Sequence, residues 1–131
     1  MIADRIVAGP GFSIGFRSEP GYLRAHVFGG TDSLDVSVAM WRMLGEECRR
    51  LAVSRLLVLE DLEATVDVPE IAAVVDAQVD AGFAAVRVAF VELREDIQGS
   101  ELAEIYSQER GLSNRVFSNE DAARRWLMYG D

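Results

Sequence analysis

The segment Arg55–Asp61 constrains the fold of this chain more than any other. Its centre, Leu56–Leu59, is entirely apolar; a charge precedes it and two acids follow. A short uninterrupted apolar run of this kind predicts a strand that is buried on both faces of a sheet. Helical patterns flank the run on both sides, which indicates an α/β domain with this strand at its centre. Working loops of such folds follow the carboxyl ends of the strands.

The length of 131 residues predicts one domain over residues 1–131. Because 22 acids outnumber 13 bases, we expect neither nucleic acid nor an anionic membrane as a partner, since both attract concentrated positive charge. Residues 1–10 lack the pattern of a secretory signal, and no run is long enough to cross a membrane. We therefore expect a cytoplasmic protein, and no motif in the chain calls for a cofactor.

Hydrophobic periodicity predicts the elements before the central strand. Residues 1–11 are interpreted as a short lead-in that Gly9-Pro10-Gly11 closes. Phe12–Arg17 and Tyr22–Phe28 alternate apolar and polar residues around a Pro-Gly turn, which indicates an antiparallel hairpin. Glycines from Gly29 then end the second strand, and an apolar stripe at helical spacing predicts a helix from about Ser33 to Leu51.

The second half of the chain alternates helices and strands. Asp67 resembles a helix cap, with Gly82 ending that helix. The next strand should run parallel to the central one, because a helix separates the two. These elements predict an α/β fold with a single mixed five-stranded sheet, an N-terminal antiparallel hairpin and four covering helices. The predicted later elements are a strand over 86–91, helix 101–110, edge strand 114–117 and a last helix capped by Ser118.

Two residue types occur once each. A lone Cys48 excludes an intramolecular disulfide and a cysteine metal cluster, and its position on an apolar helix face predicts a buried thiol. The only histidine, His26, should share a strand face with Tyr22 and Arg24. A catalytic histidine needs a nucleophile and an orienting partner, and the sequence shows neither.

The order of elements resembles the SpoIIAA-like proteins of the STAS superfamily. The hairpin, the first helix, Leu56–Leu59 and the tail motifs Arg110-Gly111, Arg115–Phe117 and Trp126-Leu127 carry the resemblance over nearly the whole chain. It implies a STAS-like fold and a non-enzymatic regulatory or protein-interaction module. Anti-sigma-factor antagonists of that superfamily are phosphorylated on a serine just after the central strand. Here the matching loop contains no serine, and Thr65 is its only hydroxyl.

The acidic segment after the central strand is the candidate functional loop. Carboxylates clustered at the end of a strand could hold Mg²⁺ or Ca²⁺, but the spacing matches no EF-hand, and a solvated loop explains the same residues. We therefore assign no metal site, and the loop remains the candidate contact region for a protein partner. Its candidate residues are Glu60, Asp61, Glu63, Thr65 and Asp67.

Met40, Trp41 and Met43 widen the apolar arc of the first helix beyond what one buried face needs. Such an arc is deeply buried, part of an apolar pocket, or a homodimer surface. We prefer the last and predict a homodimer.

Three functions remain open: the regulatory or interaction module, a carrier of a small apolar, lipid-like molecule, and an enzyme that uses the loop Glu60–Asp67. A closed-over apolar cavity would favour the carrier. Convergent carboxylates with raised pKa values would favour the enzyme. A packed core with an exposed apolar helix face would favour the interaction module.

Overall fold

A computed structural model of the chain describes residues 4–63, 66–93 and 97–130. Within them, a mixed sheet of six strands carries four α-helices, so the α/β class is confirmed and the count of five strands is wrong. Short 3-10 helices lie at Val68–Glu70 and Phe83–Ala85. The remaining elements are β1 (Asp4–Gly9), β2 (Phe12–Glu19), β3 (Tyr22–Thr31), α1 (Leu34–Leu51), β4 (Arg55–Glu63), α2 (Ile71–Asp80), β5 (Arg87–Glu92), α3 (Ile97–Glu109), β6 (Asn114–Phe117) and α4 (Glu120–Tyr129).

The strands follow one another across the sheet in chain order. Strands β1 to β3 pair antiparallel, and β3 to β6 pair parallel. Strand β4 therefore lies between β3 and β5. Leu56 and Val58 join the core cluster that contains the buried residues of α1 and α2, whereas Leu57 and Leu59 join the cluster formed with α4. All four are at most 4% exposed, which confirms the prediction of a strand buried on both faces.

The lead-in predicted for residues 1–11 is in fact largely a strand. Strand β1 pairs with β2 from Asp4 opposite Arg17 to Gly9 opposite Phe12. Its residues show little apolar alternation. As an edge strand, β1 has a neighbouring strand on one side only, and even its apolar residue Ile6 is 72% exposed. Residues 4–9 form a strand because they pair with β2, and the local sequence pattern does not show this pairing.

Strand β3 also continues past the glycines that were expected to end it. The register between β3 and β4 shifts between Phe28 and Thr31, which marks an irregularity rather than a break. The α-carbon of Gly30 lies against the carbonyl oxygen of Gly11, where a side chain would collide with backbone. Glycine therefore serves close packing of two backbone segments here, not strand termination.

The helix boundaries follow the predictions in part. Ser33 caps α1, and its hydroxyl oxygen accepts a hydrogen bond from the backbone N–H of Val36 at 3.2 Å. Asp67 precedes a 3-10 turn and makes no side-chain cap hydrogen bond. Helix α3 begins four residues before the predicted start at Glu101. Asn119, not the predicted Ser118, caps α4.

Helices α1, α2 and α3 cover one face of the sheet, and α4 covers β4 to β6 on the other. The larger part of the core lies on the three-helix face and includes Phe12, Ile14, Leu44 and Phe83. Among the helices that the structure describes, none is long and apolar enough to cross a membrane.

Candidate functional site: a cavity between the sheet and three helices

A cavity of about 90 Å³ lies between the three-helix face of the sheet and helices α1, α2 and α3. It is partly open to solvent. Strand β4 contributes Glu60, from its carboxyl-terminal half, and β5 contributes Val88, Phe90 and Glu92 along its length. The apolar walls come from α1, α2 and β5, and include Trp41, Ile71, Val74, Val88 and Phe90.

Trp41 forms the aromatic wall of the cavity. Its ring stacks on Phe90 with centroids 6.1 Å apart and meets the edge of Phe83 at 5.2 Å. Only 3% of Trp41 is exposed. Because contacts on two sides hold the ring, the apolar wall is rigid before any molecule enters.

Three buried polar side chains form the other wall. The side-chain oxygen of Gln78 on α2 accepts two hydrogen bonds, from the Ser107 hydroxyl at 3.2 Å and from the Asn114 amide nitrogen at 3.0 Å. The amide oxygen of Asn114 is buried and has no hydrogen-bond partner among the described residues. The three residues are 5%, 1% and 7% exposed, respectively. A buried acceptor without a donor costs about 1–3 kcal/mol of stability, so this oxygen is an unusual feature of the fold.

Among the described residues that line the cavity, every charged side chain is a carboxylate. Glu60 and Glu92 face each other in register on β4 and β5. The Asp32 carboxylate accepts hydrogen bonds from the backbone N–H of Ser33 at 2.8 Å and from the Ser37 hydroxyl at 2.7 Å.

Glu104 serves both the cavity and the sheet. Its carboxylate lines the cavity and accepts a hydrogen bond from the backbone N–H of Val116 at 2.9 Å. Val116 lies on β6, the edge strand beyond β5. A side chain of α3 thus satisfies a backbone donor of the sheet edge and holds β6 beside the cavity.

The predicted acidic loop is not a loop over its first half. Strand β4 continues to Glu63, so Glu60, Asp61 and Glu63 are strand residues. Because successive side chains of a strand point to opposite faces, Glu60 lines the cavity, whereas Asp61 lies on the other face, 3.9 Å from the His26 imidazole. Glu63 is exposed. The structure therefore separates the carboxylates that the sequence placed together.

The rest of the predicted loop divides further. Thr65 lies outside the described residues. Asp67 is exposed and lines an acidic groove with Asp35 and Glu70, and Asp32 lines both this groove and the cavity. Within residues 4–63, 66–93 and 97–130, no three His, Cys, Asp or Glu side chains are grouped so that they could hold a metal ion.

The predicted homodimer residues on α1 pack against the chain's own core. Met40 and Trp41 are 1% and 3% exposed, and Met43 is half-buried against the same cluster. The wide apolar arc of α1 is thus explained by burial and by the cavity wall. Met40 and Trp41 lack the exposed area that a surface between two copies needs, which corrects their assignment as interface residues.

Sequence reasoning missed Gln78, Ser107 and Asn114 as site residues. Gln78 had one detectable signal: it shares the apolar face of α2 with Ile71 and Val74. A polar side chain on an apolar face needs a hydrogen-bond partner. Gln78 accepts from Ser107 on α3 and from Asn114 on β6. Ser107 and Asn114 are ordinary residues in sequence, and only their approach to Gln78 gives them a role.

Among the described residues, those of α4 do not line the cavity. On the other face of the sheet, Trp126 packs in the cluster with Leu57 and Leu59, and the Arg87 guanidinium lies 4.0 Å from its ring centroid. The two tryptophans therefore lie on opposite faces of the sheet.

Neither the models of known protein families nor the curated proteins include a match to this chain.

Proposed function

We propose that this chain is a non-enzymatic binding module that holds a small, mostly apolar molecule in the cavity between the sheet and helices α1 to α3. The observation that carries this proposal is the rigid apolar wall around Trp41 and Phe90, which closes against a buried polar wall at Gln78 and Asn114. Small-molecule sites combine apolar surface with a few placed polar groups in this way.

The volume sets the size of the ligand. The cavity of about 90 Å³ is small. It accommodates a molecule of a few non-hydrogen atoms, or one end of a longer molecule that extends through the opening. Binding without catalysis is the simpler proposal. Strand β4 directs Glu60 and Asp61 to opposite faces, so these two carboxylates do not converge on one site as an enzyme using this segment would need.

Titration with 1-butanol, followed by NMR, tests the proposal. We expect the indole N–H signal of Trp41 to shift in a saturable way, while the signal of Trp126 on the opposite face stays constant. The variant Ala103→Phe places a ring in the cavity wall and should abolish the shift. Ala73→Phe is the matched control, because Ala73 is exposed on α2 and does not line the cavity.

Two results would overturn this function. One is a Trp41 signal that does not respond to 1-butanol at any concentration at which the protein stays folded. The other is saturable binding that Ala103→Phe leaves intact, because the molecule would then occupy another place. Native mass spectrometry of the protein purified from its host adds an independent reading, since a retained small molecule appears as added mass.

A second candidate is the interaction module of STAS-like type. It is favoured by the sheet face of β2 and β3 that α4 leaves without a helix. There the His26 ring stacks on Phe28 with centroids 5.0 Å apart, and Asp61 lies beside His26. Half-exposed aromatic and charged groups on a sheet face suit contact with a protein partner, including a second copy of this chain.

Sedimentation velocity tests the homodimer form of this candidate. We expect a dimer at high micromolar concentration that Phe28→Ser converts to a monomer. A wild-type protein that sediments as a clean monomer would remove the homodimer. A dimer that persists in Phe28→Ser would show that the interface lies elsewhere on the protein.

A further inference from the structure

Arg55 and Arg87 form a pair of positive charges at the amino-terminal ends of two neighbouring strands. They are partners in the parallel register of β4 and β5, so their α-carbons lie side by side. Because side chains alternate along a strand, both point to the face that α4 covers, as Leu57 and Ala89 do two residues further on. Like charges side by side in a sheet repel each other. The pair is therefore unfavourable unless a negative charge compensates it.

The part of the chain that the structure describes supplies no counter-ion to this pair. Neither guanidinium forms an ion pair or donates a hydrogen bond to a described residue. By contrast, Arg5, Arg24 and Arg110 each pair with a carboxylate. The chain has 22 acids for 13 bases, so the lack of a partner here does not reflect a shortage of carboxylates.

Trp126 holds Arg87 in place. The guanidinium carbon lies 4.0 Å from the centroid of the indole ring, within the range of a cation–π contact. The Nε atom of Arg87 is closed to solvent and has no hydrogen-bond partner among the described residues, and it is the only nitrogen of this side chain for which both statements hold. The two terminal nitrogens therefore remain open to solvent on a guanidinium whose position is set by the ring.

Both guanidinium groups border the last turn of α4. A Cβ atom built on Gly130 would lie 3.7 Å from Nη2 of Arg87, and one built on Gly21 would contact Met128 and lie 4.0 Å from Nη1 of Arg55. The carboxyl-terminal end of a helix attracts cations, but its partial charge is only about half of one electron charge. The helix end therefore accounts for part of the placement and leaves most of the charge of the two arginines uncompensated.

From the adjacent guanidinium groups, the missing counter-ion and the fixed position of Arg87, we propose that this end of the sheet binds a phosphate group that Arg55 and Arg87 hold jointly. Guanidinium forks match the geometry of phosphate oxygens, and a dianion compensates two cations, whereas a carboxylate compensates one. The phosphate belongs either to the free ion or to an ester. The site lies on the face of the sheet opposite to the cavity, so it does not depend on the proposed function.

Titration of the wild-type protein with inorganic phosphate tests the proposal, at pH 8 and constant ionic strength. Phosphate is then mostly dianionic, and both arginines stay protonated. We expect a saturable NMR shift of the Trp126 indole N–H signal, because Arg87 lies on that ring, and no shift of Trp41 on the opposite face. Acetate should bind at least tenfold more weakly. Methyl phosphate distinguishes the two sources, since it binds if the site accepts esters and does not bind if only the free ion fits.

Arg55→Gln tests the pair without removing the contact between Arg87 and Trp126. We expect the affinity for phosphate to fall about tenfold, because one of the two guanidinium groups is lost. Arg42→Gln is the matched control: Arg42 is exposed on α1, on the other side of the sheet, and the substitution removes the same charge. Phosphate should also raise the melting temperature of the wild type more than that of Arg55→Gln, because a ligand stabilises the folded state that binds it.

Three results would overturn the proposal. The first is a Trp126 signal that does not respond saturably to phosphate in the wild type. The second is an equal loss of affinity in Arg55→Gln and Arg42→Gln, which would indicate general attraction of an anion to exposed arginines. The third is acetate that binds as tightly as phosphate, which would show that the pair does not select a dianion.

Discussion

Arg5 on β1 donates two hydrogen bonds to the carboxylate of Glu47 on α1, at 2.7 and 2.8 Å. Arg50, one turn further along α1, donates two more at 2.9 and 2.8 Å. Glu47 is 6% exposed, so this carboxylate leaves water and is satisfied by two guanidinium groups. One buried acid thus ties the edge strand of the sheet to the longest helix.

We expect Glu47→Gln to lower the free energy of unfolding by about 1–3 kcal/mol, because charge-assisted hydrogen bonds are lost in a buried position. Urea denaturation at neutral pH measures the loss. The neighbouring Glu46→Gln is the control, since Glu46 is exposed and should change stability little. Equal effects of the two substitutions would contradict the role assigned to Glu47.

The same pair predicts a dependence on pH. The hydrogen bonds from Arg50, with those from Arg5, outweigh burial and lower the pKa of Glu47 below its usual value of 4.5. A carboxylate with a lowered pKa in the folded state stabilises the fold fully above the unfolded pKa, and this contribution disappears as pH falls through the folded pKa. The stability difference between wild type and Glu47→Gln should therefore be constant from pH 6 to 7 and shrink at acidic pH (roughly below 4). A difference that grows on acidification would contradict the assignment.

Gly45 allows α1 to approach the end of α2. A Cβ atom at this position would lie 2.6 Å from the carbonyl oxygen of Ala81, which also accepts a hydrogen bond from Arg49. Alanine at an exposed helical position gains about 1 kcal/mol over glycine, but overpacking against backbone costs about 1–3 kcal/mol. We expect Gly45→Ala to lower the melting temperature. Glu46→Ala, on the solvent side of the same turn, controls for helix propensity, and a stabilised Gly45→Ala would show that the helices separate freely.

Cys48 should be unreactive while the chain is folded. Burial raises the pKa of its thiol to about 12, and the thiolate is the nucleophile. We expect a disulfide reagent to modify Cys48 only after unfolding in guanidinium chloride. Rapid modification of the native protein at pH 8 would show that this part of α1 opens.

Alkaline stability gives a second reading of the same thiol. Its folded pKa of about 12 lies above the unfolded value of 9.0, so the unfolded chain loses the proton first. Stability is unaffected below the unfolded pKa and falls as pH rises through the range between the two values. The variant Cys48→Ala should show a shallower decline over that range, measured by urea denaturation, because the remaining groups titrate in both proteins. Parallel declines would contradict the raised pKa.

Asn119 is the cap of α4, and its side-chain oxygen accepts from the backbone N–H of Ala122 at 2.8 Å. We expect Asn119→Ala to lower the free energy of unfolding by about 1 kcal/mol. Ser118→Ala is the matched control: serine is the expected cap from sequence, but the structure shifts the role by one residue. The ranking of the two variants by chemical denaturation decides between the two caps.

Several elements could be predicted because their signals are local. Leu56–Leu59 supplies apolar side chains to both faces of a strand, so it can lie only in the interior of a sheet. The hairpin of β2 and β3 follows from alternation around a turn, and α1 from an apolar stripe behind the Ser33 cap. The buried thiol of Cys48 follows from its place on that stripe. In each case neighbouring residues carry the whole pattern.

The tertiary structure alone decided the membership of the sheet and of the site. Residues Asp4–Gly9 became a strand because β2 offered an edge and Glu47 a partner for Arg5, both distant in the sequence. The acids after β4 were divided between two faces once the strand extended to Glu63. The cavity joins Glu60 to Gln78 and Asn114, which lie on three different elements. Strand pairing and helix packing join groups that are far apart along the chain. Local hydrophobic periodicity depends on neighbouring residues only, so it cannot predict such contacts.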